Sequence, residues 1–536
     1  MKKIFLLFLS AFLLFICGCV AADDNNSENG SNSETRGDEE KTLTGNFTYN
    51  NNGEISFTDN EYAADMEDES FANKVTITFN GEAEPTVTGT SDNIVITKDK
   101  DRGNEKTYLI VKSTVKAEYE VSGTCNDGAL LIFSEKKFKL ILNNLTLQSN
   151  NWSAVNIQSK KRCFVVIDGE NNLIGAGTMN PGENLKNPEY IEGVSDPKDE
   201  NLDYKGAFFS EGQLIFKGNG ILNVTGREKH ALCSDEYVRV LSGKINVLGA
   251  PSDGIHTNDA VIVNGGEIAV NSSGDGIECE KGFIYVNAGK ISVQSGKIGI
   301  KASKDSFTES SSLSERSFIF IEGGEVSVAA SGNKGYGIAA ESHLAITGGK
   351  VAVRTSGNSA KGLKSGANAD STAKGDIVIA KNAEVSVKVT GASSGAVVVK
   401  SDAGIYLRGG KLSASALGNE GKGLAADDKI VISGGENSVY AVGNVLEAAG
   451  AVFEKGADLL AAGSGATAEI TAAQKYLTGG LSSSVKSGDT WEIADKSGTF
   501  LTDLNALNVL FTRKGLTEKP TVKIAGTDCS ANFELK

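Results

Sequence analysis

The stretch Ser252-Asp253-Gly254-Ile255-His256-Thr257, followed by Gly265-Gly266-Glu267-Ile268-Ala269-Val270, returns as Gly274-Asp275-Gly276-Ile277-Glu278-Cys279 and then Ala288-Gly289-Lys290-Ile291-Ser292-Val293. The short hexamer begins at His230, Asp253, Asp275 and Ile298, in steps of 23, 22 and 23 residues. The strand phrase also occurs as Gly243-Lys244-Ile245-Asn246-Val247. Fainter hexamers begin at Tyr336, Lys361, Gly395 and Lys422. Fainter strand copies are Gly324-Glu325-Val326, Gly349-Lys350-Val351, Gly410-Lys411-Leu412 and Gly435-Glu436. A period this short, made of strands and glycine turns without helices, means one structural rung per repeat.

Composition agrees with a stack of rungs. The 536 residues include 63 Gly and only 6 Pro, so turns can use glycine while the chain keeps its N–H donors for ladders. Alternating segments such as Val261-Ile262-Val263 and Ile284-Tyr285-Val286 recur, and no long 3.6-residue periodicity does. Stacks grow by adding rungs and need no single central core, so the length does not force several domains. Three strands per 22–25 residues predict an all-β fold, a right-handed parallel β-helix (β-solenoid), with another solenoid cross-section as its rival.

The net charge of −15 disfavours nucleic acid and anionic lipid as partners. Lys2 and Lys3 precede an apolar run from Ile4 to Cys17, too short for a comfortable membrane span. The run ends Ile16-Cys17-Gly18-Cys19, which looks like a bacterial lipobox with Cys19 as the lipidated residue. Residues 1–19 are thus expected to be a lipoprotein signal peptide, an ordinary cleaved signal being the alternative. The mature chain is expected to sit lipid-anchored in the cell envelope. Five cysteines follow: Cys125, Cys163, Cys233, Cys279 and Cys529. Cys233 and Cys279 fall two rungs apart, roughly 10 Å, beyond the roughly 7 Å Cα limit of a disulfide. These thiols read as small apolar fillers.

Residues 20–42 are polar and acidic and read as a flexible tether. Residues 43–105 carry short strands before the strongest repeats; a stack end exposes an unpaired edge, so this region is expected to cap it. Rungs should fill 106–455, and 456–536 should form a C-terminal β cap or small β domain. Two interruptions, Gly175–Tyr204 and Lys304–Arg316, read as loops thrown out from one corner.

In a parallel stack, equivalent residues of successive rungs lie about 4.8 Å apart. The first hexamer positions put Asp253 beside Asp275, with His230 beyond. The third positions, Leu232, Ile255, Ile277 and Ile300, are apolar and should point inward. The fourth (Cys233, His256, Glu278, Lys301) and sixth (Asp235, Asn258, Glu280, Ser303) should face outward. One edge would then carry Asp235, Glu236, Asp253, Asp259, Asp275, Glu278 and Glu280. Carboxylates one rung apart repel, and Ca²⁺, which takes 6–8 oxygen ligands in loose geometry, removes the conflict. The alternative is that the Asp-Gly pairs only form turns in which Asp bonds its own backbone. Lys301 and His256 are the candidates for contact with a substrate on this edge. Lys301 also offers itself as a partner for Glu278. No nucleophile elbow and no phosphate loop occurs.

Tyr119-Glu120-Val121-Ser122-Gly123-Thr124 and Leu140-Ile141-Leu142-Asn143-Asn144-Leu145-Thr146-Leu147, then Lys229-His230-Ala231-Leu232, Ser252-Asp253-Gly254-Ile255 and Gly274-Asp275-Gly276-Ile277-Glu278, resemble a known family. It is that of carbohydrate-binding β-helix lipoproteins of the clostridial cellulose- and pectin-binding type. The similarity runs from about Ile94 to Gly435. It implies a right-handed parallel β-helix shaped like the pectate lyases, bound calcium, and binding of acidic or cellulosic polysaccharide without lyase activity. The family tends to have Lys-Asp-Asp after its His-Gly-Ile phrase, whereas this chain has Asp235-Glu236-Tyr237, with Ala231 and Leu232 replacing Gly and Ile. Asp253 and Asp275 keep the pattern and receive the implied calcium site first. Two other functions stay open. One is a calcium-dependent lyase with Lys301 or Lys281 as base. The other is a surface adhesin or structural spike. Trp152 and Trp491 are the only tryptophans, so no aromatic sugar-stacking strip is expected.

Overall fold

The computed structural model describes residues 45–49, 55–66, 70–99, 106–175, 187, 201–303, 317–366 and 374–536. The leader, Cys19, the tether, all of the Lys304–Arg316 interruption and most of the Gly175–Tyr204 one lie outside the described residues. Each clear repeat supplies three strands. In the repeat from Asp253 these are Ile255–Thr257, Ala260–Val263 and Glu267–Ser272. All three pair in parallel with their equivalents one repeat on, Ile277–Cys279, Phe283–Val286 and Lys290–Ser295. The register is the sequence period itself: Leu232, Ile255, Ile277 and Ile300 are successive partners, as are Ile245, Ile268 and Ile291. The first ladder forms one sheet of 14 strands from Ile94–Lys98 to Leu446–Glu447. One faint copy needs re-registering: the partner of Lys361 is Val397, two residues beyond the expected Gly395.

The two glycine columns have different causes. The second glycine of each strand phrase, such as Gly266 or Gly289, has positive φ (70° and 84°), a turn that side chains resist. The hexamer glycine instead lacks room. A Cβ on Gly276 would sit 2.2 Å from Val293 Cγ1 and 2.4 Å from Gly299 O of the next rung. Inside, the stacked Ile and Val side chains form one long core. Cys125, Cys163, Cys233 and Cys279 are buried free thiols, as the filler reading expects, whereas Cys529 is only half-buried at the edge of the C-terminal core.

Both ends switch to antiparallel pairing, which stops addition of further rungs. Ile94–Lys98 runs antiparallel to Tyr108–Ser113, and Asn73–Asn80 to Ala83–Thr88. At the other end Leu459–Gly463 meets Leu507–Thr512 antiparallel. Beyond it Trp491, Phe500, Leu507 and Phe511 share a separate small core.

Residues 45–66 differ from the expectation of an end cap. The hairpin Gly45–Tyr49 with Ile55–Asp59, and the helical turn Tyr62–Asp65, lie along the outer side of the second ladder. There one outward column reads Arg239, Ile262, Tyr285, Phe320, Ala345, Val378, Tyr406. Its apolar members need a cover, and Phe47 and Phe57 supply it. The Phe47 ring lies tilted 4.6 Å from Phe318 and edge-to-face 5.0 Å from Phe283; Phe57 lies 4.3 Å from Tyr285. Arg239, wholly buried in this column, needs counter-charges. It donates to both oxygens of Asp59 (2.6 and 2.9 Å) and, through Nε, to Asp65 Oδ2 at 2.5 Å. Arg162 holds Asp65 Oδ1 at 2.7 Å, and the Tyr237 hydroxyl donates to the same carboxylate.

Candidate functional site

The outward column of the 14-stranded sheet runs Phe209, Cys233, His256, Glu278, Lys301, Ala339, Lys364, Lys400. Beside it, at the turn leading into each strand, sit His230, Asp253 and Asp275. The aspartates tie one rung to the next. Asp253 Oδ1 accepts the Asp275 backbone N–H at 2.9 Å, and Asp275 Oδ1 accepts that of Ile298 at 2.9 Å. The Asp253 N–H itself donates to His230 Nδ1 at 3.3 Å. These Asp-Gly pairs thus serve the neighbouring rung's backbone, where the sequence had suggested their own.

The second oxygens meet the two imidazoles and Lys301. Asp253 Oδ2 lies 3.2 Å from His230 Nδ1 and 3.5 Å from His256 Nδ1. His256 Nδ1 is also 3.2 Å from Glu278 Oε2, and its Nε2 is 3.7 Å from Glu280 Oε2 at the rim. Lys301 Nζ donates to Glu278 Oε1 at 2.5 Å and lies 3.6 Å from Asp275 Oδ2. The two imidazoles stack with centroids 4.3 Å apart. His230, Asp253, His256, Asp275 and Glu278 are all buried.

The protonation pattern follows from these contacts. Burial pushes the Asp253 carboxyl up, but hydrogen bonds from His230 and His256 outweigh it and hold the group well below its ordinary range. Burial alone would lower His256; hydrogen bonds that its ring donates to Asp253 and Glu278 instead lift it to about 9. Burial lowers His230, which Asp253 only partly offsets. Asp275 is raised by burial. Lys301 is raised, burial being outweighed by Glu278 and Asp275. At neutral pH an imidazolium and an ammonium therefore sit among three carboxylates.

Of the seven acids predicted for one edge, Asp253, Asp275 and Glu278 come together, each offering an oxygen within 4.8 Å of the others. This all-oxygen group suits a hard cation such as Ca²⁺, with further oxygens from water or ligand completing its shell. Such an ion would neutralise the carboxylates that His256 and Lys301 otherwise meet. Asp235 goes elsewhere: Lys205 Nζ bridges it (2.8 Å) to Asp203 (2.8 Å), with Glu211 beside them. The Glu236 carboxylate accepts from Gln213 Nε2. Glu236 and Asp259 join no group of three such donors among the described residues. Cys233 stands in the outward column but is wholly buried, between Phe209 and His256 on the adjacent rungs.

Lys205, Glu211 and Asp203 escaped the sequence reading because Asp203 lies at the end of the long interruption, Lys205 and Glu211 just after it, and none belongs to a clear repeat. Burial, together with Asp235 and Asp203, lifts the Glu211 carboxyl from its ordinary 4.5 to about 7. A carboxyl raised on folding favours the folded state below its unfolded pKa, and that contribution is lost as pH rises to the folded value. Thermal stability is therefore expected to fall between pH 4.5 and 7 by on the order of 2 kcal/mol through this group. In Glu211→Gln the fall should flatten; an unchanged pH profile in that variant contradicts the assignment.

Comparison with known proteins adds the following. The sequence model of the family of carbohydrate-binding domain-containing proteins matches residues 104–314 and 291–453. A curated protein of the same description, from Acetivibrio thermocellus, is 26% identical over 159 residues, covering 29% of this chain and 51% of that protein. The chain thus spans about half the length of this curated relative. A solved structure of a polysaccharide lyase-like protein from C. thermocellum, a gadolinium derivative, covers 58% of this chain and 99% of its own, at 18% identity and a TM-score of 0.36. The family match takes in the repeats and the whole His–Asp–Glu–Lys cluster, and by it this chain belongs to the family of carbohydrate-binding domain-containing proteins.

Proposed function

We propose that the chain is an exported, lipid-anchored binding protein for acidic or cellulosic polysaccharide, that its parallel ladders wind as a right-handed β-helix, and that it holds its ligand non-catalytically along the outer face of the 14-stranded sheet with the help of Ca²⁺. The observation that carries this is the single outward column of His256, Glu278 and Lys301 flanked by Asp253 and Asp275, in a domain of a carbohydrate-binding family. Asp253, Asp275 and Glu278 would hold the ion, which supplies a positive charge that sugar carboxylates and hydroxyls can join. The chain's residues do the rest. Backbone bonds to Asp253 and Asp275 fix the two carboxylates before any ligand arrives, so little ordering remains to be done on binding.

Binding without catalysis is favoured by Lys301. A lyase needs a neutral amine to take a proton. Lys301 is instead ion-paired to Glu278 and Asp275, whose charges outweigh its burial and push its pKa up, the opposite of what a base requires. The test is co-sedimentation of the whole chain with insoluble cellulose and with calcium-pectate gel. Retention on at least one polymer is expected, with no unsaturated product released. Failure to be retained on any of a broad panel of polysaccharides overturns the reading.

A further inference from the structure

Two rungs past Lys301 the same outward column turns basic. Lys364 and Lys400 are direct partners on adjacent rungs, and Lys361 sits on the rung of Lys364. One rung before them Tyr336 pairs with Lys361, and Ala339 precedes Lys364 in the outward column. Lys361 Nζ lies 5.2 Å over the Tyr336 ring and donates to Ser359 O at 3.2 Å. Lys364 Nζ is 2.7 Å from Asp402 Oδ2, and Lys400 reaches Asp402 at 3.7 Å and also Asp427. Lys364 and Lys400 thus share Asp402, Lys400 also holds Asp427, which is half exposed to water, and Glu447, two rungs beyond Lys400, is taken up by Lys422. No ion pair within 4 Å involves Lys361 among the described residues.

Resting on the reading above, we infer that Lys361, Lys364 and Lys400 with Tyr336 form a separate subsite for the carboxylates of a uronic-acid polysaccharide. The arrangement suits this ligand in three ways. The ammoniums repeat at one rung, about 4.8 Å, close to the rise of one residue in an extended pyranose chain. Tyr336 lies on the same strand as the small Ala339, and with Lys361 Nζ over one face of its ring it can offer a sugar its edge. The surplus positive charge lies on a chain of net charge −15. The rest of the surface therefore repels a dense polyanion such as nucleic acid, while a chain with one charge per sugar can be held locally. Burial and the neighbouring ammoniums lower Lys361, and burial lowers Lys364, so an incoming anion relieves a strain that the protein's own acids leave in place.

The experiment is calorimetric titration of the whole chain with an oligogalacturonate and, separately, with a neutral cello-oligosaccharide. Lys361→Met is the cleanest variant, since it leaves every ion pair described here intact. It is expected to weaken oligogalacturonate binding by roughly tenfold. Lys364→Met with Lys400→Met is expected to weaken it further, and Lys364→Arg to keep most of it. Affinity for the neutral sugar should not move. Unchanged oligogalacturonate affinity in Lys361→Met and in the double variant overturns the subsite but leaves polysaccharide binding standing. Loss of both sugars alike in a folded Lys361→Met also overturns it. Wild-type chain that binds neither sugar overturns the underlying reading as well.

Discussion

Replacing Arg239 with alanine is expected to release the N-terminal hairpin from the side of the stack. The guanidinium is wholly buried and holds Asp59 through two hydrogen bonds and Asp65 through a third. Removing one partner of a buried ion pair leaves uncompensated charge and costs about 3–5 kcal/mol. Asp65 retains Arg162 and Tyr237, while Asp59 loses both of its guanidinium hydrogen bonds. Burial already pushes the Asp65 carboxyl up against two guanidiniums, so it tolerates the loss of one poorly. The consequence is specific: Phe283, Phe318 and Phe320 lose the cover of Phe47 and Phe57. Arg239→Ala should therefore bind a dye for apolar surfaces and show fast amide exchange at residues 45–49 and 55–59, while the ladder strands keep their protection. Changing Arg239, Asp59 and Asp65 together to leucine should restore much of the docking, since apolar residues in place of a buried ionic group are often neutral or stabilising. Undiminished protection of the hairpin in Arg239→Ala contradicts this account of the clamp.

The second large effect concerns the acid cluster. Asp275→Asn keeps an oxygen to accept the Ile298 N–H, so the rung should survive, but it removes one of three charges from the cation group. Calcium binding, measured by calorimetry, should fall by about a hundredfold or vanish, and likewise for Asp253→Asn. Lys301→Met should act the other way. It deletes the ammonium that competes for Asp275 and Glu278, and so should tighten calcium binding by roughly tenfold. Opposite signs at neighbouring residues separate ion binding from a general loss of structure. Equal calcium affinity in wild type, Asp275→Asn and Lys301→Met means that these acids only tie rungs together.

Much of this architecture was legible in the chain because the repeat period and the ladder register are the same quantity. Once Asp253 and Asp275 were 22 residues apart, Ile255 had to stand beside Ile277, and His256 beside Glu278. What failed were features that do not repeat. The hairpin at 45–59 docks on Tyr285 and Phe320, which read in sequence as ordinary strand residues, and nothing local to Phe47 says where it will land. Lys205 and Glu211 follow an interruption and carry no phase. The copy set at Gly395 slipped by two residues because its phrase is degenerate there, and with it went the pairing of Lys364 with Lys400. The seven-acid edge was too generous for a related reason. Spacing places backbones side by side, but contacts such as that of Lys205 with Asp235 decide which carboxylates remain together.

The most direct measurement is the binding of polygalacturonate to the whole chain by calorimetry, in calcium and again in excess chelator. The account predicts saturable binding in calcium that is strongly weakened by the chelator, and weakened in the same way by Asp275→Asn. Binding of equal strength in chelator, or no binding in either condition, contradicts a calcium-assisted polysaccharide site on this face.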